Sequence, residues 1–307
     1  MALRHVLTID LEDWFHVCGA ERDLPVSTWD ELPSQLPETT ARILDLLDEH
    51  DTKATFFVLG YVARRFPETV AAAAARGHEI ASHGYAHQRV YEMTPRQFAD
   101  DLRRSVLAIE EACGVTPRSF RAPEWSIRPS CDWAFEVLAE QGFTYDSSIV
   151  PLTWLGSRSF PALPYDVETP AGTIREFPLS TERAFHERVP YSGGLPLRLH
   201  PEWSVFEFLR RSETCMVYTH PSDFEDAHPA SRMPLNRKFV QRFRRDCVLP
   251  RFRRMLHCFE FVTLADHFQR PRQNRELPPV PDDVRRALRR SFLASAPWWY
   301  VAAPAAA

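Results

Sequence analysis

Short apolar runs alternate with longer amphipathic stretches along the first half of the chain. Val6-Leu-Thr-Ile9 has strand length and ends on Asp10, with more acidic residues just beyond. From Thr39 to His50, Ile43, Leu44, Leu46 and Leu47 line one face of a helix. Ala54 to Leu59 is a continuous apolar run closed by Gly60, which predicts a second buried strand. Pro67 to Arg76 predicts a helix with proline at its start and Gly77 as its stop. His78 to His83 predicts a third strand. Thr94-Pro95 then opens a long helix carrying Phe98, Leu102, Val106 and Ile109 on one face. Ser119 to Arg121 predicts a fourth strand, Asp132 to Gln141 a helix, and Gly142 to Asp146 a further strand. This strand–helix alternation predicts a parallel sheet, as a barrel or an open doubly wound sheet. No glycine-rich phosphate loop follows any strand, which weakens a nucleotide-binding reading.

After Ser148 the pattern changes. Residues 149–200 are rich in proline and glycine, with a hairpin expected around Thr169-Pro-Ala-Gly172. Cys215 to Thr219 predicts a strand ending at His220-Pro221, Arg237 to Leu256 a basic helix, and Phe259 to Thr263 a last strand. From Gln269 the chain turns Pro/Arg-rich and ends in an Ala/Trp tail. Residues 1–268 are expected to form one domain and 269–307 an extension.

Composition narrows the function classes. The 307 residues are 44% hydrophobic and 25% charged, which excludes a disordered, collagen-like or multi-span membrane chain. A net charge of -4 gives no strong field for nucleic acid or an anionic membrane. The six cysteines include no CxxC pair, which argues for buried thiols rather than a thiolate zinc site or a disulfide framework. The N-terminus lacks a signal-peptide pattern and no run reaches about 18 apolar residues, so no transmembrane segment is expected. The expected location is the cytoplasm, either free or peripheral to a membrane.

Ionisable groups gather where the predicted strands end. The first strand delivers Asp10, Glu12 and Asp13; the third His83-Gly-Tyr-Ala-His87; the fourth Arg121-Ala-Pro-Glu-Trp125. The next delivers Asp146-Ser-Ser148, and the late strand Thr219-His220-Pro221. In parallel βα folds the C-terminal strand ends form the active face. Two histidines four apart plus a carboxylate make a three-ligand catalytic metal site with positions left open; two surface histidines are the plainer alternative. Three carboxylates in four residues repel unless a cation or shared proton relieves them; a solvated acidic turn also fits. Arg121 is a partner for one carboxylate or an ordinary salt bridge, and His220 a general acid or a core histidine.

The ordered set Thr-Ile-Asp-Leu-Glu-Asp, Ser-His-Gly-Tyr-Ala-His, Phe-Arg-Ala-Pro-Glu-Trp, Tyr-Asp-Ser-Ser and Tyr-Thr-His-Pro resembles the five motifs of the polysaccharide deacetylases, carbohydrate esterase family four. The resemblance spans residues 5–268. The Asp-x-Glu-Asp-Trp start and Ser192-Gly-Gly, followed by Leu-Arg-Leu199, look closest to a subgroup that accompanies bacterial exopolysaccharide synthesis and exosortase systems. It implies a distorted (β/α) barrel of about seven parallel strands with the active site at the C-terminal strand ends. It implies Asp10 as catalytic base, Arg121 as the arginine orienting it, His220 as acid and Asp146 as the carboxylate paired with that acid. His83 and His87 match the metal-binding histidines, and Trp125, Pro123 and Ser147 the substrate-contacting positions. The family's common form has a second aspartate directly after the base. Here that residue is Leu11, which as a strand residue points away, while Glu12 returns to the side of Asp10. Glu12 is therefore the expected third ligand, with Asp13 in reserve. The implied cofactor is a divalent metal, zinc first.

The implied activity is metal-dependent hydrolysis of the N-acetyl amide of N-acetylhexosamine units in a bacterial polysaccharide, within exopolysaccharide biosynthesis. An allantoinase-like hydrolase of a small amide or cyclic amide is the alternative, and a glycan-binding protein without turnover the third reading. The implied partners are an N-acetylated polysaccharide or a lipid-linked oligosaccharide, with a homo-oligomer open and nucleic acid excluded. Trp29, Trp125, Trp133 and Trp154 are candidates to stack on sugar rings. The arginines from Arg237 to Arg254 could meet acidic glycan or lipid headgroups, although a solvated helix face explains them as well. The tail with Trp298-Trp-Tyr300 could pack on the barrel, touch a membrane or mediate pairing.

Overall fold

A computed structural model of the chain describes residues 4–16, 23–184, 187–225 and 243–269. Among the described residues eleven strands form a nine-stranded sheet and a separate hairpin. The sheet comprises β1 (Arg4–Leu11), β2 (Thr55–Val58), β3 (Glu79–Ser82), β4 (Ser119–Phe120), β5 (Tyr145–Asp146), β6 (Tyr165–Thr169), β7 (Gly172–Glu176), β10 (Met216–Thr219) and β11 (Glu260–Val262). The hairpin is β8 (Thr181–Ala184) with β9 (Glu187–Pro190). Strand order is β10-β1-β2-β3-β4-β5-β7-β6, parallel throughout except for the antiparallel β6–β7 hairpin expected around residues 169–172. The fold is therefore α/β with a mostly parallel sheet. β11 pairs in parallel with the first three residues of β1, on the edge that β2 occupies further along.

Nine α-helices accompany these strands among the described residues: α1 (Leu36–Glu49), α2 (Gly60–Arg65), α3 (Pro67–Ala75), α4 (Pro95–Cys113), α5 (Trp133–Glu140), α6 (Gly194–Leu199), α7 (Glu202–Arg211), α8 (Val248–Cys258) and α9 (Leu264–Gln269). Thr94 caps α4 as expected. Its Oγ1 accepts from Gln97 N at 3.3 Å, while Gln97 Oε1 accepts from Thr94 N at 2.8 Å. The pattern missed α2, α6, α7 and the β8–β9 hairpin, although Val205, Phe206, Phe208 and Leu209 give α7 a readable buried stripe. Of the basic helix expected over Arg237–Leu256, the described residues show Val248–Cys258 as helix, preceded by a left-handed turn at Arg244 (φ 45°) and a 3₁₀ turn over Arg245–Cys247. Residues 237–242, the tail beyond Gln269 and Cys18 lie outside the described residues. Four of the described arginines of this stretch are pinned to the chain itself. Arg251 donates to Leu197 O and His200 O, Arg245 to Ser222 O, and Arg253 and Arg254 pair with Glu49 and Glu202.

Strand alternation builds both faces of the sheet. Leu7, Ile9 and Leu11 of β1 enter the large core shared with α1, α2, α3, α7 and α8, and Phe56 and Val58 of β2 join them. The opposite set, Val6 of β1, Phe57, Ala81 and Met216, packs on the inner side with Val262 and Leu264. The same inner face continues upward through Thr8 and Asp10, so one period-2 stripe changes from apolar to polar towards the strand ends. The sheet is strongly curled. β1 and β4 stand three ladder steps apart, about 14 Å across a flat sheet. Arg121, the residue after β4, nevertheless donates to Asp10 Oδ1 at 2.6 Å and to Thr8 Oγ1 at 2.9 Å. Met216 N of β10 also donates to Ser180 Oγ at 2.7 Å, so the segment after β7 comes round to β10. No helix among the described residues is long and apolar enough to cross a membrane.

Candidate active site

Arg121 is the pivot of the inner face. Its side chain is fully buried, a costly position for a guanidinium unless its donors are met. Nη1 meets Asp10 and Thr8, Nη2 reaches Ser147 Oγ at 3.1 Å, and Nε reaches Ser147 O at 3.3 Å. The guanidinium lies over Phe57 (4.2 Å to the ring centre) and near Trp125 (5.5 Å). Asp10 thus has one oxygen tied to a fixed cation. Its other oxygen, Oδ2, lies 3.8 Å from His220 Nε2.

Glu12, His83 and His87 converge beside Asp10. Each offers one donor atom, and these lie within 4.8 Å of one another. Glu12 Oε2 is 2.7 Å from His87 Nε2 and 3.8 Å from His83 Nε2. Yet this oxygen is buried with no hydrogen-bond partner among the described residues, so donor and ring approach without aligning on one another. His83 Nδ1 sits 2.8 Å from Arg121 O, an acceptor only, which fixes the proton on Nδ1 and leaves Nε2 bare. Burial, the leading cause, lowers the His83 pKa to about 4, so the ring is neutral at pH 7. Burial works to raise the Glu12 pKa, but the facing imidazoles, His87 foremost and then His220 and His83, outweigh it and hold it down at about 2. An orphaned carboxylate oxygen facing the rings of His83, which is neutral at pH 7, and His87 fits a divalent cation.

The loops that carry these groups are strained. Among the described residues five non-glycine residues have positive φ, and three of them, His87 (54°), Glu124 (51°) and Trp125 (48°), border this site. Arg89 Nε to Glu124 Oε2 at 2.9 Å and Val90 N to Ser126 Oγ at 2.9 Å staple the two loops together. Trp125 packs edge-on against Tyr218, ring centres 4.7 Å apart, and these two rings wall the pocket next to His220. Pro123 is buried at the start of the 3₁₀ turn Pro123–Trp125.

The carboxylate that holds His220 is Asp223, not Asp146. Asp223 Oδ2 accepts from His220 N at 3.0 Å and lies 3.3 Å from His220 Nδ1. Burial of His220 works to lower its pKa. The hydrogen-bonded Asp223, with the charges of Glu12 and Asp10, outweighs burial and holds it up at about 9. Asp223 itself is buried, which raises its pKa, but His220 and Arg198 pull it below the usual carboxylate range. Asp146 is instead sealed under the site. Its Oδ1 accepts from Ser148 Oγ at 2.6 Å, and it faces Glu176, whose pKa burial and the nearby Asp146 push well above the usual carboxylate range. Register explains this: Asp146 ends β5 directly opposite Glu176 of β7, below the mouth of the pocket.

Two further expectations change. Asp13 lies outside the ligand triad, with Oδ1 accepting from Trp14 N at 2.9 Å; burial, with Glu225 nearby, raises its pKa to about 7. Ser147, expected to meet substrate, is fully buried, and its hydroxyl is spent on Phe177 O (2.9 Å) and Arg121. Of the candidate stacking tryptophans, Trp29 is a core residue whose Nε1 donates to Leu24 O, Trp133 packs against the core around α4 and α5, and Trp154 is 71% exposed. Sequence reasoning missed Asp223, although an acidic residue three after a residue followed by proline has the spacing of a capping pair.

Comparison with known proteins agrees with this geometry. Residues 20–145 match the family model "Polysaccharide deacetylase", and residues 147–269 match "Domain of unknown function (DUF3473)". The chain is 33% identical over 109 residues to a peptidoglycan deacetylase of Helicobacter pylori, covering 36% of each chain. It is 33% identical over 110 residues to a peptidoglycan-N-acetylglucosamine deacetylase of Bacillus cereus (36% of this chain, 39% of the other). It is 36% identical over 97 residues to a chitooligosaccharide deacetylase of Bradyrhizobium (31% and 43%). The chain thus spans under half the length of these relatives. In fold it is similar to a Mycobacterium smegmatis crystal structure assigned as a polysaccharide deacetylase, with TM-score 0.56 and 23% identity over 90% of this chain and 96% of that one. Residues 20–145 thus resemble the polysaccharide deacetylases, and the segment that matches the second family follows directly.

Proposed function

We propose that this protein is a metal-dependent N-deacetylase acting on N-acetylhexosamine units of a polysaccharide, in the setting of bacterial exopolysaccharide synthesis. One observation carries the reading. A buried carboxylate fixed by Arg121, a Glu–His–His donor set and a histidine backed by its own carboxylate face one space, neighbouring groups 2.6–3.8 Å apart. Similarity to the named peptidoglycan and chitooligosaccharide deacetylases supports the amide and sugar class.

A divalent cation held by Glu12, His83 and His87, zinc foremost, would polarise the acetyl carbonyl and acidify an attacking water. Asp10, with Oδ1 held by Arg121, has Oδ2 to take the proton of that water. His220 carries a proton at pH 7, and Nε2 faces the same space at 3.8 Å from Asp10 and 3.5 Å from Glu12. It gives this proton to the departing sugar amine, which as an unprotonated anion would not leave. Trp125 and Tyr218, packed edge-on beside His220, would wall the acyl group.

The test is acetate release from N-acetylglucosamine oligomers by the full chain, with zinc and with chelator. Chelator-sensitive release that is lost in Asp10→Asn is expected. Cleavage of cyclic or small amides with no release from oligomers would replace this reading with the small-substrate one, and absence of both would overturn it.

A further inference from the structure

Asp223 cannot hold His220 unless something holds Asp223. Its Oδ2 serves both the backbone N–H and Nδ1 of His220, so its orientation depends on Oδ1. Oδ1 faces Nη2 of Arg198 at 3.6 Å, and both side chains are 6% exposed. Arg198 belongs to α6, in the segment that matches the second family. Its guanidinium spreads across three parts of the chain: Nε to Gly194 O at 3.4 Å, Nη1 to Phe243 O at 3.2 Å and Nη2 to Asp223. Three separated contacts fix a planar fork in a way that one ammonium could not.

The placement of α6 is also specified. Gly193, just before it, has φ +111°. A Cβ there would stand 2.2 Å from Tyr218 O and 2.3 Å from the Tyr218 ring. Only glycine lets α6 pack onto the end of β10, two residues before His220.

We infer that Arg198 is a positioning residue for the acid step: through Asp223 it aims the Nε2 proton of His220 at the leaving amine, so the second family segment completes the chemistry of the first. This rests on the reading of His220 as the acid. Among the described residues its given contacts are with Gly194, Phe243 and Asp223 rather than with Glu12, His83 or His87, so binding and metal affinity should not depend on it.

The test compares an amide and an ester on the full chain. N-acetylglucosamine oligomers need the leaving amine protonated, whereas 4-nitrophenyl acetate releases a stable phenolate and does not. Arg198→Met is expected to lower kcat on the amide about 10–100-fold, the range typical of outer-layer partners, with KM and zinc affinity unchanged and ester turnover retained. The low-field Nδ1 proton resonance of His220 should be lost. Arg198→Lys should recover part of the amide rate. Should Arg198→Met not fold, the amide-to-ester ratio of Arg198→Lys decides: a fall supports the inference and an unchanged ratio overturns it. Equal losses on both substrates mean a purely structural role and also overturn it. A wild-type chain that releases acetate from neither substrate removes the deacetylase reading and this inference with it; a wild type active on the amide beside an equally active Arg198→Met removes this inference alone.

Discussion

Replacing Arg121 by methionine isolates the central electrostatic contact of the site. Methionine keeps an unbranched apolar stem among Phe57, Trp125 and Met216 but removes every donor. Thr8 Oγ1 and Ser147 Oγ each keep a backbone acceptor, Val217 O and Phe177 O, so neither hydroxyl is orphaned. The cost falls on Asp10, whose side chain is 3% exposed and would keep only His220, 3.8 Å from Oδ2, as a cationic neighbour. Removing one partner of a buried pair costs about 3–5 kcal/mol. That is a large part of a typical total of about 5–15 kcal/mol. Adding Asp10→Asn removes the stranded charge, so the double variant should recover about 2 kcal/mol relative to the sum of the singles. Urea unfolding of the full chain at pH 7, with chelator so that no cation contributes, measures all four proteins. A loss below about 1 kcal/mol for Arg121→Met, or strict additivity in the cycle, would refute the account of Arg121 as the group that makes a buried Asp10 tolerable.

Zinc at about 100 times its Kd should raise the unfolding free energy by about 2.7 kcal/mol. Thermal-shift titration should show this gain lost at the same concentration in Glu12→Gln and His87→Ala and kept in Asp13→Asn. Asp101 accepts from Tyr85 N at 2.9 Å, and burial, only partly offset by that bond and Arg104, raises its pKa to about 6. A folded pKa above the unfolded value of 3.8 means that stability falls as pH rises from about 4 to about 6 and stays reduced above, by at most about 3 kcal/mol. Asp101→Asn keeps the acceptor without the charge, so it should match wild type at pH 4 and exceed it at pH 8; lower stability at pH 8 would reverse the sign of the argument. Thr94→Ala should lower stability by about 1 kcal/mol in urea titrations, through loss of the α4 cap.

How far the site was legible in sequence varies by residue. The alternation Asp10-Leu11-Glu12 is a local property of a strand and its exit, and in the structure Leu11 enters the helix-facing core while Asp10 and Glu12 face the pocket. The HxxxH spacing is likewise local, but the left-handed turn at His87 that brings both rings together is not. Asp146 and Asp223 show the limit. Both are carboxylates near strand ends, and only register shows that Asp146 faces Glu176 while Asp223 turns back on His220.

The sequence by itself determined the βα alternation, the capped start of α4, the hairpin at residues 169–172 and the gathering of ionisable residues where strands end. Each depends on contacts within a few residues or on a period of two or 3.6, which the chain carries wherever it is placed. Tertiary structure alone decided the rest. The curl of the sheet brought Arg121 across three ladder steps to Asp10, burial made His83 neutral while Asp223 and the nearby carboxylates outweighed burial at His220, and the packing of Gly193 on Tyr218 carried Arg198 to Asp223. These are long-range distances and local dielectric, quantities that no segment specifies until the others have folded around it.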